Sequence, residues 1–243
     1  MHAAGGVSIR MAKRDQLREL RTGTVINLSS KQMESKLGRA LQRVADDLQK
    51  NEGVRLKHEK EWKLKDIVRV LRAHFSSVAF HYYFDTSSLK PDGGILSVLS
   101  TSDIAYPILI SEVKRQGTND LRAQEGKRKQ AKGNAIERLG KNVIGFRAAM
   151  RHELIFPFVC FGEGVDFADD SSILDRVSTI ALFSKLRTVN LMNDGPEGVF
   201  NRGTFYFREQ PWTEEEMYNL LRDISRRAVQ YYFAKYGEKT FRL

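Results

Sequence analysis

The sequence holds one cysteine, Cys160, inside the apolar run from Phe156 to Phe161. A lone thiol forms no internal disulfide, and with no Cys/His cluster beside it there is no zinc-ligand pattern. The 5 histidines are scattered, without ligand spacing. This usage fits a reducing cytoplasm, the expected location. No apolar run approaches the ~18–20 residues that cross a bilayer. The opening Met1-His2-Ala3-Ala4-Gly5-Gly6 lacks the apolar centre of a signal peptide. There is no internal repeat and no low-complexity block. No aromatic motif of the RNA-recognition type is present, which argues against an RNA-processing protein. Negative charge is also short: 40 Lys and Arg stand against 30 Asp and Glu, a formal net charge of +10. An excess of that size is either solvated or matched by an anion, and a polyphosphate is the partner it fits best.

What is present is enough for a core. The chain has 243 residues, 41% hydrophobic and 29% charged, which suits one soluble α/β domain over 1–243. Residues 1–10 read as a loose tail and 13–22 as a short basic helix. From Lys31 to Lys50 the apolar positions Met33, Leu37, Leu41, Val44 and Leu48 recur at helical spacing and form one stripe. A second helix is expected over Lys65–His74, with Ile67, Val68 and Leu71 inward. Phe80–Phe84 is aromatic and strand-like. Ile95–Leu99 and Tyr106–Val113 read as strands joined by a turn at Thr101-Ser102-Asp103. Asn119–Lys132 is polar and loop-like or frayed helix, and Gly133–Arg151 is helical, with Ile136, Leu139, Val143, Ile144 and Phe146 able to pack.

Leu154–Phe161 is nearly all apolar, as a strand covered on both faces would be. Pro157 within it suggests a bulge or an edge. Ser171–Ser184 reads as a helix, Thr188–Met192 and Thr204–Phe207 as short strands, and Thr213–Tyr236 as a long helix opened by a capping box of Thr213 and Glu216. The order of elements predicts a mixed central sheet flanked by helices.

Two segments carry chemistry. Side chains alternate along a strand, so Glu112 and Lys114 share a face, with Ile108 and Ile110 behind them. Asp92 lies on the Pro91-Asp92-Gly93-Gly94 turn that opens the neighbouring strand. If those strands pair, the two carboxylates converge, and oxygen ligands of that kind suit Mg²⁺. A divalent ion neutralises charge on a phosphodiester and lowers the pKa of a bound water. The Lys114 ammonium can hold that water and stabilise the transition state; whether it also takes the proton is left open, because nearby carboxylates oppose a depressed lysine pKa. The plain alternative is a turn aspartate and a solvated ion pair at a strand end.

The second segment is Gly133-Asn134-Ala135-Ile136-Glu137-Arg138. Asn134, Glu137 and Arg138 stand at i, i+3 and i+4, one edge of a helix. Asn134 with Glu137 is also an ordinary helix cap. Read functionally, Asn pairs with adenine and Arg with purine N7 in the major groove, Gly133 lets backbone approach the bases, and Lys127, Arg128, Lys129 and Lys132 just upstream hold phosphates.

Together with Ser87–Gly94, Glu112–Gly117 and Lys141-Asn142, this segment resembles the EcoRI-type restriction endonucleases of the PD-(D/E)xK nuclease superfamily, over roughly residues 80–170. The resemblance implies a restriction-endonuclease-like fold and a homodimer that clamps duplex DNA at a palindrome and cuts each strand once. It implies Mg²⁺ held by Asp92, Glu112 and the carbonyl of Val113, with Lys114 at the water, and Lys90 and Gln116 beside the scissile phosphate and bases. Gly133, Asn134, Ala135, Glu137 and Arg138 resemble the reader of a central AATT. The last two of these also belong to a network across the family's dimer. Products would carry 5′-phosphates and AATT overhangs, and a cognate methyltransferase is expected in the host. Departures fall on the outer base pair: in the stretch Gln130, Ala131, Lys132, the family pattern has Met at the first position and Ala at the third. Arg176 matches one arginine of the outer contacts, while Thr179 stands in place of a second. The link from Gln116 to Asn134 is shorter than in the family, which implies a reduced DNA-embracing arm. Other readings of the same residues are a structure-specific or repair nuclease of the superfamily and a DNA-binding module without turnover.

Overall fold

A computed structural model of the chain describes residues 25–116, 126, 134–169 and 171–242, with side chains from Ser30 in the first helix and from Ile136 in the third. The expected tail at 1–10, the basic helix at 13–22 and all but one residue of the polar stretch 119–132 lie outside the described residues. The first helix, α1 (Val25–Glu52), is longer than its apolar stripe. Met33, Leu37, Leu41, Val44 and Leu48 all point into the core, each leucine stabilising by about 1.5–3 kcal/mol through burial. Next come β1 (Arg55–Glu59), a strand too polar to stand out in the sequence, the short β2 (Trp62–Lys63) and α2 (Leu64–His74), which buries Val68 and Leu71 as expected. β3 (Ser88–Leu89) pairs with β2 in a two-stranded ribbon.

The central sheet adds β4 (Gly94–Leu99), β5 (Ala105–Arg115), β6 (Phe158–Glu163) and β7 (Thr204–Arg208), in the order β1-β4-β5-β6-β7. β1, β4 and β5 are antiparallel, while β6 and β7 run parallel to β5. The crossover from β5 to β6 carries α3 (Asn134–Ala149). α4 (Ile173–Ile180), a helical turn at Gly195–Gly198, and the final helix α5 (Glu214–Tyr236) complete the chain. One apolar layer, from α1 and α5, packs on one face of the sheet. A second, from α3 and α4 with Phe156, Phe158, Phe205 and Phe207, packs on the other. Among the described residues no helix is long and apolar enough to cross a membrane.

Several expectations are corrected. Phe80–Phe84 forms no strand; Tyr83 and Phe84 are exposed, because no neighbour offers them a ladder. Thr188–Met192 contributes only an isolated bridge between Ile155 and Met192. Pro157 precedes β6, with its carbonyl accepting from Ile110 N at 2.8 Å, so the missing N–H costs the ladder nothing. The bulge lies instead opposite Leu96 and Ser97, where the register skips Ile108. One extra residue reverses the alternation. Ile108 therefore joins the α1 layer with Leu109, while Ile110 stays on the α3 side. Ile144 of α3 points outward and is 67% exposed.

Candidate active site

The turn before β4 is tightly constrained. Gly94 N bonds the carbonyl of Pro91 at 3.2 Å, and Gly93 N bonds the carbonyl of Ser111 on β5 at 2.9 Å. A β-carbon on Gly93 would lie 2.8 Å from both Leu37 and Leu41 of α1 and would collide with Ser111 Oγ. Gly94 has φ +79°, where a side chain is strained, and a β-carbon there would also meet the His58 ring at 2.6 Å. His58 itself sits 2.8 Å from the Gly93 carbonyl. Packed between α1, β1 and β5, the turn has little freedom, and that fixes Asp92.

Gly94 pairs with Ser111, so Asp92 arrives beside the end of β5. Val113 N donates to Asp92 Oδ2 at 3.3 Å, and Asp92 N donates to Glu112 Oε2 at 3.3 Å. Lys114 Nζ gathers the cluster. It donates to Asp92 Oδ2 at 2.9 Å, to the Val113 carbonyl at 2.9 Å and to Glu112 Oε1. Thus the three residues expected to meet do meet. The oxygens expected to bind metal surround one ammonium.

Charge follows burial. The Glu112 side chain is 3% exposed, and burial raises its pKa; Lys114 opposes this rise and Asp92 adds to it. Burial alone would lower the Lys114 pKa, but Glu112 and Asp92 reverse that and hold it well above the lysine range. The side chain is therefore an ammonium at neutral pH, suited to electrostatic stabilisation rather than to proton abstraction in this state. Its ammonium lies between the two carboxyl groups and hydrogen-bonds to both. Among the described residues no cluster of three His, Cys, Asp or Glu forms a closed metal cage. Two carboxylates and a carbonyl are the donor set of an ion that keeps several waters, and Mg²⁺ fits it.

Two further residues bear on the centre. Asn142 of α3 donates to both Glu112 oxygens, at 3.2 and 3.3 Å. Its signal in the sequence was only its place after the recognition-like segment. Glu34 of α1 has its pKa raised first by partial burial and then by the charge of Asp92, so it lies within electrostatic range of the cluster. It falls one turn before Leu37, on the edge of the helix that faces the turn. Nothing in the local sequence marks it.

The remaining expected contacts divide. Lys90 is exposed at the entry to the turn, and Glu137, Arg138 and Arg176 are exposed on α3 and α4. Gln116 is buried at the end of β5, with neither side-chain polar atom partnered among the described residues. Asn134 and Ala135 start α3, but nothing of their side chains is described. Gln130, Ala131, Lys132 and Gly133 lie outside the described residues.

A family model described as restriction endonuclease EcoRI matches residues 21–239. The chain belongs to the EcoRI family of restriction endonucleases. Type II restriction enzyme RsrI of Cereibacter sphaeroides is 28% identical over 200 residues, covering 68% of this chain and 72% of RsrI. Type II restriction enzyme EcoRI of Escherichia coli is 34% identical over 128 residues, covering 49% of this chain and 43% of EcoRI. The chain is thus a Type II restriction endonuclease, a hydrolase.

Proposed function

We propose that the chain is a homodimeric, Mg²⁺-dependent endonuclease that cuts duplex DNA at a palindrome with an AATT core and leaves 5′-phosphates on four-base 5′ overhangs. The observation that carries this reading is the double role of α3. The helix opens with Asn134, presents Glu137 and Arg138 to solvent, and then holds Glu112 through Asn142. Arg138 and Asn142 are four residues apart, about 6 Å along the axis. Base reading at one end of the helix is thereby rigidly joined to the carboxylate that serves cutting, a coupling a structure-specific nuclease would not need.

Asp92, Glu112 and the Val113 carbonyl would hold Mg²⁺, which neutralises charge on the phosphate and acidifies a water. Lys114 stabilises the anionic phosphoryl oxygens and keeps the attacking water oriented. Lys90 contributes a positive charge to the approaching backbone. Asn134, Glu137 and Arg138 read base edges, Gly133 and Ala135 permit close approach, and Gln116 supports them. By the family pattern Gln130, Ala131, Lys132 and Arg176 would bear on the outer base pair, where this chain departs from that pattern and an altered preference is expected.

The homodimer draws support from exposed apolar groups beside the reading helix. A β-carbon on Gly140 of α3 would lie 3.5 Å from Ile180 of α4, so the two helices run close here, while Ile144 just along α3 and Phe183 just beyond α4 are 67% and 80% exposed. α5 turns its apolar stripe inward and shows Asn219, Arg222, Asp223, Arg226, Arg227 and Gln230 outside. A cognate methyltransferase in the host completes the reading. The test is digestion of a sequenced plasmid library with Mg²⁺, followed by sequencing of the ends. Cuts confined to sites containing AATT are expected; cuts at sites without it, or no discrete sites, would overturn the specificity.

A further inference from the structure

At the far end of α3 from the reading segment, two arginines converge on one neutral acceptor. Arg147, in the last turn, is 5% exposed and donates from Nε to the carbonyl of Asn201 at 3.0 Å. Arg202 reaches the same oxygen from Nη1 at 3.5 Å. That carbonyl is held in place, because the Asn201 side chain donates to Met192 O at 2.9 Å and accepts from Gly203 N at 2.7 Å. Arg151 lies one helical turn beyond Arg147, exposed. Among the described residues no carboxylate pairs with any of the three. Arg147 Nη1 is buried with no hydrogen-bond partner among the described residues.

Like charges gathered this way are unfavourable, and a buried cation without a counter-ion more so. Burial lowers the pKa of Arg147 to about 10, helped by the positive charges of Arg151 and Arg202. The Arg202 pKa falls for the same reasons, burial first and then Arg151. The negative end of the α3 dipole, roughly half a charge, does not balance three guanidiniums. Contact of Arg147 with the Phe156 ring, 5.9 Å from its centroid, supplies some attraction but no counter-charge. An oxyanion would supply what is missing, since planar guanidinium forks match its geometry.

We infer that Arg147, Arg151 and Arg202 form a seat for a phosphate-class oxyanion, separate from the nuclease centre. The topology keeps the two apart. Glu112 and Lys114 lie toward the C-terminal end of β5, whereas α3 runs back to deliver the chain to the start of β6, and Asn201 precedes the start of β7. The phosphate is either free or part of a nucleic-acid backbone outside the cutting cleft.

Thermal unfolding of the full chain in EDTA, with inorganic phosphate against chloride at matched ionic strength, tests the seat. A saturable rise of about 2–4 °C is expected, kept in Lys114→Ala and lost in Arg151→Gln/Arg202→Gln. Arg147→Lys, which retains charge but loses the fork, serves if the double variant does not fold, and should weaken the apparent phosphate affinity at least tenfold. A second arm measures binding of a short duplex lacking AATT. Binding several-fold weaker in the double variant, with a salt slope shallower by about 0.9 for each phosphate no longer neutralised, assigns the seat to backbone phosphate, with or without a free-phosphate shift. Unchanged duplex binding with the phosphate shift abolished assigns it to free phosphate. The inference is overturned by equal phosphate shifts and equal duplex binding in wild type and both variants. Loss of the shift in Lys114→Ala overturns it too, by moving the ion to the nuclease centre. So does dissociation of a dimer in the double variant without any phosphate effect, because the arginines then serve a second copy's carboxylate.

Discussion

Asp92, Glu112 and Lys114 divide their tasks according to burial. Glu112 is the most enclosed; burial raises its pKa, Lys114 opposes that rise, and Asn142 donates to both of its oxygens. Removing a group that orients a ligand typically costs 10–100-fold in metal affinity or activity. Asn142→Leu should therefore slow cutting by about that factor while leaving DNA binding in EDTA close to wild type; steady-state cleavage and band-shift assays on the same preparations check it, and a full-rate variant would contradict the role. Lys114→Ala and Asp92→Ala should abolish cutting with binding largely kept, and substantial activity in either would undo the proposed roles. Arg138→Lys should relax sequence discrimination, since the planar fork is lost. Discrimination equal to wild type across a library of sites would make Arg138 a structural residue.

At the scale of elements, helix ends and helix faces make separable contributions. α5 begins with a complete capping box: Thr213 accepts from Glu216 N at 3.2 Å, and Glu216 accepts from Thr213 N at 2.9 Å. Arg208 grips the same carboxylate through two nitrogens at 2.7 and 2.6 Å while lying over Trp212. The Arg208 bond is the largest of the influences that hold the Glu216 pKa down to about 2. A depressed carboxyl stabilises the fold above its unfolded pKa and loses that contribution as pH falls toward the folded value. Glu216→Gln should thus be less stable than wild type at pH 7, by a modest amount because the side chain is 42% exposed. The gap should close between about pH 4.5 and pH 2. Chemical denaturation at a series of pH values reads the gap, and a constant difference would remove Glu216 as its source. Leu37→Ala should cost about 2–5 kcal/mol, and because Leu37 packs against the Gly93 position it should also loosen the Asp92 turn and slow cutting beyond the stability loss.

For the whole molecule, the net charge of +10 sets how strongly a polyanion is attracted, and the ionic strength sets over what distance. Association with duplex DNA should weaken steeply with salt, log K falling by about 0.9 per neutralised phosphate for each decade. EDTA should stop cutting while low-salt binding persists; cleavage at full rate in EDTA would remove the metal from the mechanism.

Much of the molecule was legible in the residues themselves. The α1 stripe, the α5 capping box and the β4–β5 hairpin follow from local periodicity and turn chemistry, whose causes lie within a few residues of the pattern. Pro91-Asp92-Gly93-Gly94 and Glu112-Val113-Lys114 marked the side chains that meet at the candidate site. Only tertiary packing decided the rest. The bulge at Ile108 depends on how two strands align, Phe80–Phe84 has strand-forming residues but no partner strand, and β1 is polar because it forms one edge of the sheet. Asn142, Glu34 and Arg147 gain their roles from neighbours 30 or more residues away. Desolvation and convergence of charge depend on three-dimensional proximity, which no spacing along the chain encodes.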